Sequence, residues 1–271
     1  MTRPDIVLAV FHLATFCADA CVRHYQGVIH IVQYLLGTKT RGVRFRKSPQ
    51  NQLWEFYCDS DWAGCPTTRK STSGYLVKFM GGPLVAVSRR QKTVALSACE
   101  AEYCTFVDCA KDIIWARGIA EFFKCPFPTP ATLRCDNLTA KHMAEGKAQL
   151  KRMKHVDGLR KFTQVKYHWI RDLVQHGVVE LTYVDTTLNE SDILTKPLAR
   201  TKFKEGRDKL LNDGHVAYRT EASQDGILKV TLDAEIAEKM LSVRIVPLGH
   251  SRQRKIDTGC IAQIARCVQQ H

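Results

Sequence analysis

Several common signatures are missing from this sequence. It contains no Cys-x-x-Cys pair, no Gly-x-Ser-x-Gly motif, no internal repeat and no apolar run long enough to span a bilayer. An apolar stretch near the N-terminus, Ile6 to Cys17, follows Asp5 and is interrupted by His12, so it predicts an ordinary buried helix rather than a signal peptide. These absences leave a zinc-binding module, a serine or cysteine hydrolase and a membrane protein without support.

Cysteine is present, but not in the pattern of a disulfide framework. The count of eleven is odd, and a chain of 271 residues buries enough surface to fold without covalent staples. We therefore expect reduced thiols and an intracellular location. One large domain or two small ones fit this length.

Basic residues outnumber acidic ones. Lys and Arg total 40 against 27 Asp and Glu, which gives a net charge of +13, and the excess is spread along the chain rather than held in a tail. Basic surface on a folded body favours a polyanionic partner, with nucleic acid ahead of a membrane surface. A generally basic soluble protein without such a partner remains the alternative at this point.

Hydrophobic periodicity predicts the order of the structural elements. Three strands, a long helix, a strand, helices, a strand and a terminal helix indicate an α/β sandwich with a mixed sheet. A two-helix segment (1–50) precedes this body (51–212), and a tail (213–271) carries no recognisable chemical motif. The predicted strands are Leu53–Tyr57, Gly74–Phe79, Leu84–Val87, Thr132–Cys135, Val179–Val184 and, in the tail, Ile227–Leu232. The predicted helices are Val22–Leu36, Ala98–Phe123, Thr139–Glu145, Val156–His176, Thr201–Leu211 and, in the tail, Ala234–Leu241.

Four carboxylates stand at the ends of these elements: Asp59 and Asp136 close strands, Glu102 lies near the start of the long helix, and Asp192 begins a short helix. Side chains at such positions can meet at one edge of a sheet, and hard divalent cations such as Mg²⁺ or Mn²⁺ would relieve their repulsion. Two such ions about 4 Å apart would clamp the attacking and leaving oxygens of a phosphodiester. Acids at such positions are common as helix caps or turn formers, so placement alone is a weak signal for a metal site.

The sequence around these acids contains several motifs in a fixed order, which together are specific for one protein family. The motifs CDSDWAGCPTTRKSTSGYLVKFMGG, VSRRQKTVALSACEAEY, CDN, KHVD with KYHWIRD, and ESDILTKPL follow one another in order. They resemble the ribonuclease H domain of copia-type LTR retrotransposon polyproteins over roughly residues 52–212. The earlier motifs TRPDIVLAV and QYLLGTK are similar to the segment that links the reverse transcriptase to that domain. The chain therefore looks like a fragment of a polyprotein.

The resemblance implies a ribonuclease H-like fold, a five-stranded mixed sheet flanked by helices, with an N-terminal helical segment before it. It implies cleavage of the RNA strand of an RNA–DNA hybrid by two divalent ions, Mg²⁺ with Mn²⁺ as a substitute, without a small-molecule cofactor. One ion would activate a water and the other would stabilise the departing 3′ oxygen. Matched motif by motif, the catalytic and metal-binding acids are Asp59, Glu102, Asp136 and Asp192, with Glu100 ranked below Glu102. The expected partners are the hybrid duplex and the reverse transcriptase portion of the polyprotein, with no membrane.

Basic and polar side chains near the acids are candidates for holding the duplex. The predicted nucleic-acid-binding residues are Arg69, Lys70, Ser71, Asn137, Lys151, Arg152 and Lys154. A solvated helix face is the alternative for the basic run at 151–154. Trp62 is expected in the core rather than on a base-stacking surface.

Two features depart from the family pattern. An apparent insertion of residues 158–164 lies between KHVD and KYHWIRD, and it either lengthens a helix or, because of Gly158, opens a loop. Glu190 and Ser191 replace an apolar residue and an alanine before Asp192, and Glu190 is either an extra acid at the metal rim or solvent-facing. The four acids are intact, which favours retained activity. The alternative is a catalytically inactive nucleic-acid-binding remnant or a domesticated interaction module.

Overall fold

The computed structural model describes residues 2–46, 53–147 and 160–211, and in the helix that begins at Arg160 it describes side chains from His168 onward. The predicted tail elements, the basic run at 151–154 and Gly158 lie outside the described residues. Residues 160–164 of the apparent insertion are helical, since the helix runs from Arg160 to Gln175.

Five strands in the described residues form one mixed sheet, as the sequence predicts. They are β1 (Trp54–Asp61), β2 (Thr72–Phe79), β3 (Gly82–Arg90), β4 (Ala131–Cys135) and β5 (Val179–Tyr183). The strand order is β3-β2-β1-β4-β5, with β1 to β3 antiparallel and with β4 and β5 parallel to β1. A tight turn with positive φ at Met80 and Gly81 joins β2 to β3, whereas the parallel strands are reached by helical crossovers.

Helices pack on both faces of this sheet. The helices are α1 (Val7–Ala14), α2 (Val22–Gly37), α3 (Ala98–Phe122), α4 (Leu138–Ala144), α5 (Arg160–Gln175) and α6 (Arg200–Leu211), with 3₁₀ turns at Pro4–Ile6, Thr186–Leu188 and Asp192–Leu194. The long helix α3 begins where the hydroxyl of Ser97 accepts the amide of Glu100 (3.1 Å), which satisfies a donor of its first turn. Helix α3 lies on one face of the sheet with α4 and α5, and α6 lies on the other.

The alternation of side chains along β1 divides the interior into two cores. Phe56 packs on the face covered by α3, α4 and α5. Tyr57 packs on the opposite face, against the 3₁₀ turn that begins at Asp192 and against α6. Because side chains of a strand alternate, Asp59 shares the face of Tyr57. The packing of the second core therefore brings the segment that carries Asp192 to Asp59.

The two N-terminal helices are more exposed than expected. Neither α1 nor α2 contains a buried residue, so the prediction of an ordinary buried helix over Ile6–Cys17 is wrong. Although α1 contacts β3 and α2, every residue of α1 keeps part of its surface exposed to solvent. The segment that follows α2 is tied to the body, since the amide of Arg44 donates to the Leu211 carbonyl (3.0 Å) and the amide of Arg46 donates to the Met80 carbonyl (2.9 Å). No helix in the described part of the chain is both long and apolar enough to cross a membrane.

We expect Gly74→Ala to destabilise the protein. A methyl group at this position on β2 would lie 2.5 Å from Thr195 Cγ2 and 2.9 Å from Leu194 Cβ, so the strand and the turn above it would have to separate. The expected loss in the free energy of unfolding is about 2 kcal/mol, measured by urea denaturation. Gly118→Ala is the control, because a methyl group there meets nothing within 4 Å and should stabilise the helix by up to about 1 kcal/mol. Equal effects of the two substitutions would contradict this packing.

Candidate metal centre

Three of the four predicted acids meet at one edge of the sheet. Asp59 lies near the C-terminal end of β1, and Asp136 directly follows the parallel strand β4, so both are delivered to the same edge. Asp192 opens the 3₁₀ turn that packs against β2. One carboxylate oxygen from each of the three lies within 4.8 Å of the others. Carboxylate oxygens gathered in this way suit a hard divalent cation.

Glu102 is buried beside these three acids. It lies near the start of α3 and is 4% exposed. Its Oε1 accepts hydrogen bonds from the amide (3.0 Å) and the hydroxyl (2.9 Å) of Ser60. Its Oε2 is buried and finds no donor in the described part of the chain. Since buried carboxylate oxygens normally have a partner, this atom fits a cation ligand.

Glu100, which the sequence ranks below Glu102, has a different environment. Its Oε2 accepts the amide of Leu96 (2.8 Å), and its own amide donates to Ser97. These two contacts are those of a helix cap. They agree with the assignment of Glu102 rather than Glu100 to the acidic cluster.

Burial and mutual repulsion raise the pKa values of all four acids. The pKa of Glu102 lies well above its ordinary value, because of burial first and then because of the charges of Asp59 and Asp136. Burial also raises the pKa values of Asp59, Asp136 and Asp192, and in each case a neighbouring acid adds to the increase. The cluster therefore favours protonation or cation binding over four free negative charges.

A lysine for which the sequence predicts no role lies within the cluster. Lys196 Nζ is 3.1 Å from Asp192 Oδ1 and 3.7 Å from Asp59 Oδ2. Burial works against its charge, but the carboxylates of Asp59 and Asp192 outweigh burial and raise the pKa of Lys196 above its usual value. Its position four residues after Asp192 is the sequence signal that could have found it, because residues at this spacing on a helical turn are neighbours.

Polar side chains support Asp136 and the residue after it. The hydroxyl of Thr186 donates to Asp136 Oδ2 (2.9 Å). The Oδ1 of Asn137 accepts the amide of Ala140 (3.0 Å) and caps α4. The expected contact of Asn137 with nucleic acid stays a prediction.

The loop between β1 and β2 carries three of the predicted nucleic-acid contacts. Arg69 is exposed and Lys70 is half-buried. Ser71 is fully buried and its hydroxyl accepts the amide of Ala63 (3.1 Å), so it closes the loop, and its expected contact with nucleic acid is wrong. The other three predicted contacts, Lys151, Arg152 and Lys154, lie outside the described residues.

Trp62 is half-exposed at the end of β1, so the expectation of a core position is wrong. Its indole nitrogen donates to the carbonyl of Ala95 (3.0 Å), which links the loop after β1 to the loop before α3. Trp62 follows Asp61 directly, at the end of β1 that carries Asp59.

Glu190 belongs neither to the metal rim nor to free solvent, the two positions considered for it. Its Oε2 lies 2.7 Å from the Nζ of Lys78, a buried residue on β2. Glu55 on β1 lies 4.0 Å from the same nitrogen. This ion pair ties the segment before Asp192 to the sheet, over the same face as Tyr57.

Comparison with known proteins agrees with the geometry. No protein-family model matches the chain. It is 33% identical over 209 residues to the retrovirus-related Pol polyprotein from transposon RE1 of Arabidopsis thaliana, a match that covers 77% of this chain and 14% of the relative. It is 34% identical over 203 residues to the corresponding polyprotein from transposon TNT 1-94 of Nicotiana tabacum, with 75% and 14% covered. The chain belongs to the copia-type, retrovirus-related Pol polyprotein family.

The chain spans about one seventh of the length of these Pol relatives. Among solved structures, it is similar to the RNase H1 of Halobacterium salinarum, with 16% identity, a TM-score of 0.37, and 52% of this chain and 93% of that chain covered. It is also similar to LC11-RNase H1 in complex with an RNA/DNA hybrid, with 16% identity, a TM-score of 0.35, and 52% and 91% covered. The five-stranded mixed sheet with helices on both faces matches the architecture that the sequence resemblance implies for this part of a Pol polyprotein.

The raised pKa values predict that the metal-free protein gains stability as the pH falls. Protonation of Glu102 relieves repulsion in the folded state, and this stabilisation is lost as the pH rises through the raised pKa. In EDTA, we expect the midpoint of thermal unfolding to rise as the pH is lowered from the mildly alkaline range towards the ordinary pKa of a glutamate, and Glu102→Gln to flatten the rise. Glu121→Gln, at an exposed position of the same helix, should keep the wild-type slope. Identical slopes for wild type and Glu102→Gln would show that Glu102 does not feel the other acids.

Proposed function

We propose that this chain is a metal-dependent endonuclease that cleaves the RNA strand of RNA–DNA hybrids. The observation that carries the proposal is the gathering of Asp59, Asp136 and Asp192 within 4.8 Å, beside the buried Glu102. The alternative interpretation, that the acids are helix caps, has less support. Ser97 and Asn137 perform the capping of α3 and α4 instead.

The donor set fits Mg²⁺, with Mn²⁺ as a substitute, because every candidate ligand is a carboxylate oxygen. We assign the ligands of up to two ions to Asp59, Glu102, Asp136 and Asp192. When bound, such ions supply a nucleophilic water near neutral pH and a positive charge for the leaving oxygen of a phosphodiester. The catalytic step then needs no side-chain nucleophile.

The burial of the four acids gives the site a floor and an open side. Asp59 and Glu102 are nearly fully buried and form the floor, while Asp136 and Asp192 are half-buried at the rim. The side chain of Lys196, 38% exposed, lies at the same rim. We assign the entry of the phosphodiester to this side, where the ammonium group attracts the phosphate. The dry floor strengthens electrostatic interactions inside the site.

The substrate class rests on family membership and on charge. A hybrid duplex is recognised by its shape, its phosphates and its 2′-hydroxyls, which calls for basic side chains beside the acids. Arg69 and Lys70 lie in the loop that leaves β1 next to the acids, and the whole chain carries a net charge of +13. The LC11-RNase H1 neighbour was solved with a hybrid of this kind. We assign the exposed helices α1 and α2 to contact with the reverse transcriptase portion of the polyprotein, in an intracellular compartment.

Cleavage of a labelled RNA strand in an RNA–DNA hybrid tests the assignment. With Mg²⁺ present, Asp136→Asn should lower the cleavage rate by at least about 100-fold, because it removes a charge from the ligand set. Asp172→Asn is the matched control, since Asp172 is an exposed carboxylate on α5, and it should cut at the wild-type rate. Equal cutting by Asp136→Asn and wild type would reject the nuclease assignment. Salt-sensitive binding without any cutting by wild type would instead identify a catalytically inactive remnant.

The duplex-binding surface is tested by salt dependence in EDTA, where cleavage is suppressed. The double variant Arg69→Gln, Lys70→Gln should bind the hybrid more weakly and reduce the slope of log K against log salt concentration by about 1 to 2. Lys124→Gln is the control, because Lys124 is exposed at the far end of α3, about 30 Å along the helix from Glu102. An unchanged slope for the double variant would exclude these two residues from phosphate contact.

A further inference from the structure

Thr195 places a hydroxyl group directly against the acidic cluster. It follows the 3₁₀ turn Asp192–Leu194 and is 2% exposed. Its Oγ1 donates to Asp59 Oδ2 and also lies 3.1 Å from the backbone carbonyl oxygen of Asp192. A hydroxyl has one hydrogen, so the carboxylate, as the charged acceptor, takes the donation.

The position of this hydroxyl is set by the sheet beneath it. The hydroxyl of Ser88 donates to the Leu194 carbonyl (2.6 Å), and the side-chain amide of Asn189 donates to the Cys58 carbonyl (3.0 Å). Gly74 lacks a side chain where Thr195 Cγ2 lies against β2, so the threonine methyl occupies that space. The segment is thus fixed on β1, β2 and β3, and the hydroxyl has little freedom to leave Asp59.

We propose that Thr195 is a positioning residue for metal binding: its hydroxyl fixes the carboxylate of Asp59 in the orientation that shares a cation with Asp136 and Asp192. This inference rests on the proposed function, because it assigns the cluster to a cation. A carboxylate oxygen has two lone pairs, so Asp59 Oδ2 can accept from Thr195 and still face the cluster. Hydrogen bonds of this kind to ligating carboxylates orient the ligand and commonly change metal affinity by 10- to 100-fold.

Two substitutions separate the hydroxyl from the methyl group. Thr195→Val keeps the shape and the contact with Gly74 but removes the donor, whereas Thr195→Ser keeps the donor and removes the methyl. A matched control is Thr105→Val on α3. Thr105 is a fully buried threonine whose hydroxyl donates to Ser73 (2.8 Å) rather than to an acid of the cluster.

The experiment is calorimetric titration of the full chain with Mg²⁺, with circular dichroism to verify folding. Thr195→Val should bind Mg²⁺ at least about tenfold more weakly than wild type, while Thr195→Ser stays within about threefold. Thr105→Val should lose stability but keep the wild-type Mg²⁺ affinity. In the hybrid cleavage assay, Thr195→Val should need a higher Mg²⁺ concentration for half-maximal rate and approach the wild-type rate at saturation.

The outcomes separate this proposal from the nuclease assignment. If Thr195→Val binds Mg²⁺ like wild type while Asp136→Asn abolishes cleavage, the positioning role is wrong and the nuclease stands. If Mg²⁺ affinity depends on the hydroxyl but wild type cuts no hybrid, the positioning role stands and the nuclease assignment falls. Equal loss in the valine and serine variants would assign the effect to packing, and an absence of Mg²⁺ binding by wild type would also overturn the proposal.

Discussion

Repulsion among the four acids of the cluster is the interaction on which the rest of this structure depends. Two of them, Asp59 and Glu102, are almost completely buried, where water does little to screen their charges. The raised pKa values of Asp59 and Glu102 are a consequence of this cost, which is partly offset by the ammonium group of Lys196 and by hydrogen bonds from Ser60 and Thr195. Hydrophobic burial elsewhere in the protein supplies the stabilising free energy that offsets the remaining repulsion among these acids.

The second core supplies most of this restraint. Tyr57, Leu76 and Ala86 on the sheet pack against the turn Asp192–Leu194 and against α6, so the segment that brings the last acid is held down by apolar contacts. A shift of β1 by one residue would exchange the faces of Tyr57 and Asp59 and remove both the packing and the site. The alternation of side chains along β1 therefore determines both the packing of the second core and the position of Asp59 in the acidic cluster.

The sequence predicts the elements well where the pattern is local. The five strands and α3 follow from alternation and apolar runs that can be read within a few residues, whereas the gathering of the acids is implied only by the resemblance of the ordered motifs to a known family. Contacts between distant segments carry no such signal. Lys78 and Glu190, which form an ion pair, are separated by 112 positions. The hydroxyl of Ser71 is buried against the amide of Ala63, and these two groups come together only when the loop between β1 and β2 has folded. The sequence wrongly predicts a core position for Trp62, because an aromatic residue that follows a strand can lie either in a core or at the exposed edge of a sheet.

The pair of Lys78 and Glu190 has an evolutionary consequence. The lysine ammonium is almost completely buried on β2, and Glu190 supplies its nearer carboxylate. Replacing Glu190 alone with an apolar side chain would remove the nearer carboxylate, 2.7 Å from the buried ammonium, and leave only Glu55 at 4.0 Å, whereas exchanging both Lys78 and Glu190 for apolar side chains is often tolerated. Residues 78 and 190 are therefore expected to change together among related proteins, so that covariation between them, rather than constancy at either one, marks the sequences that keep this sheet intact.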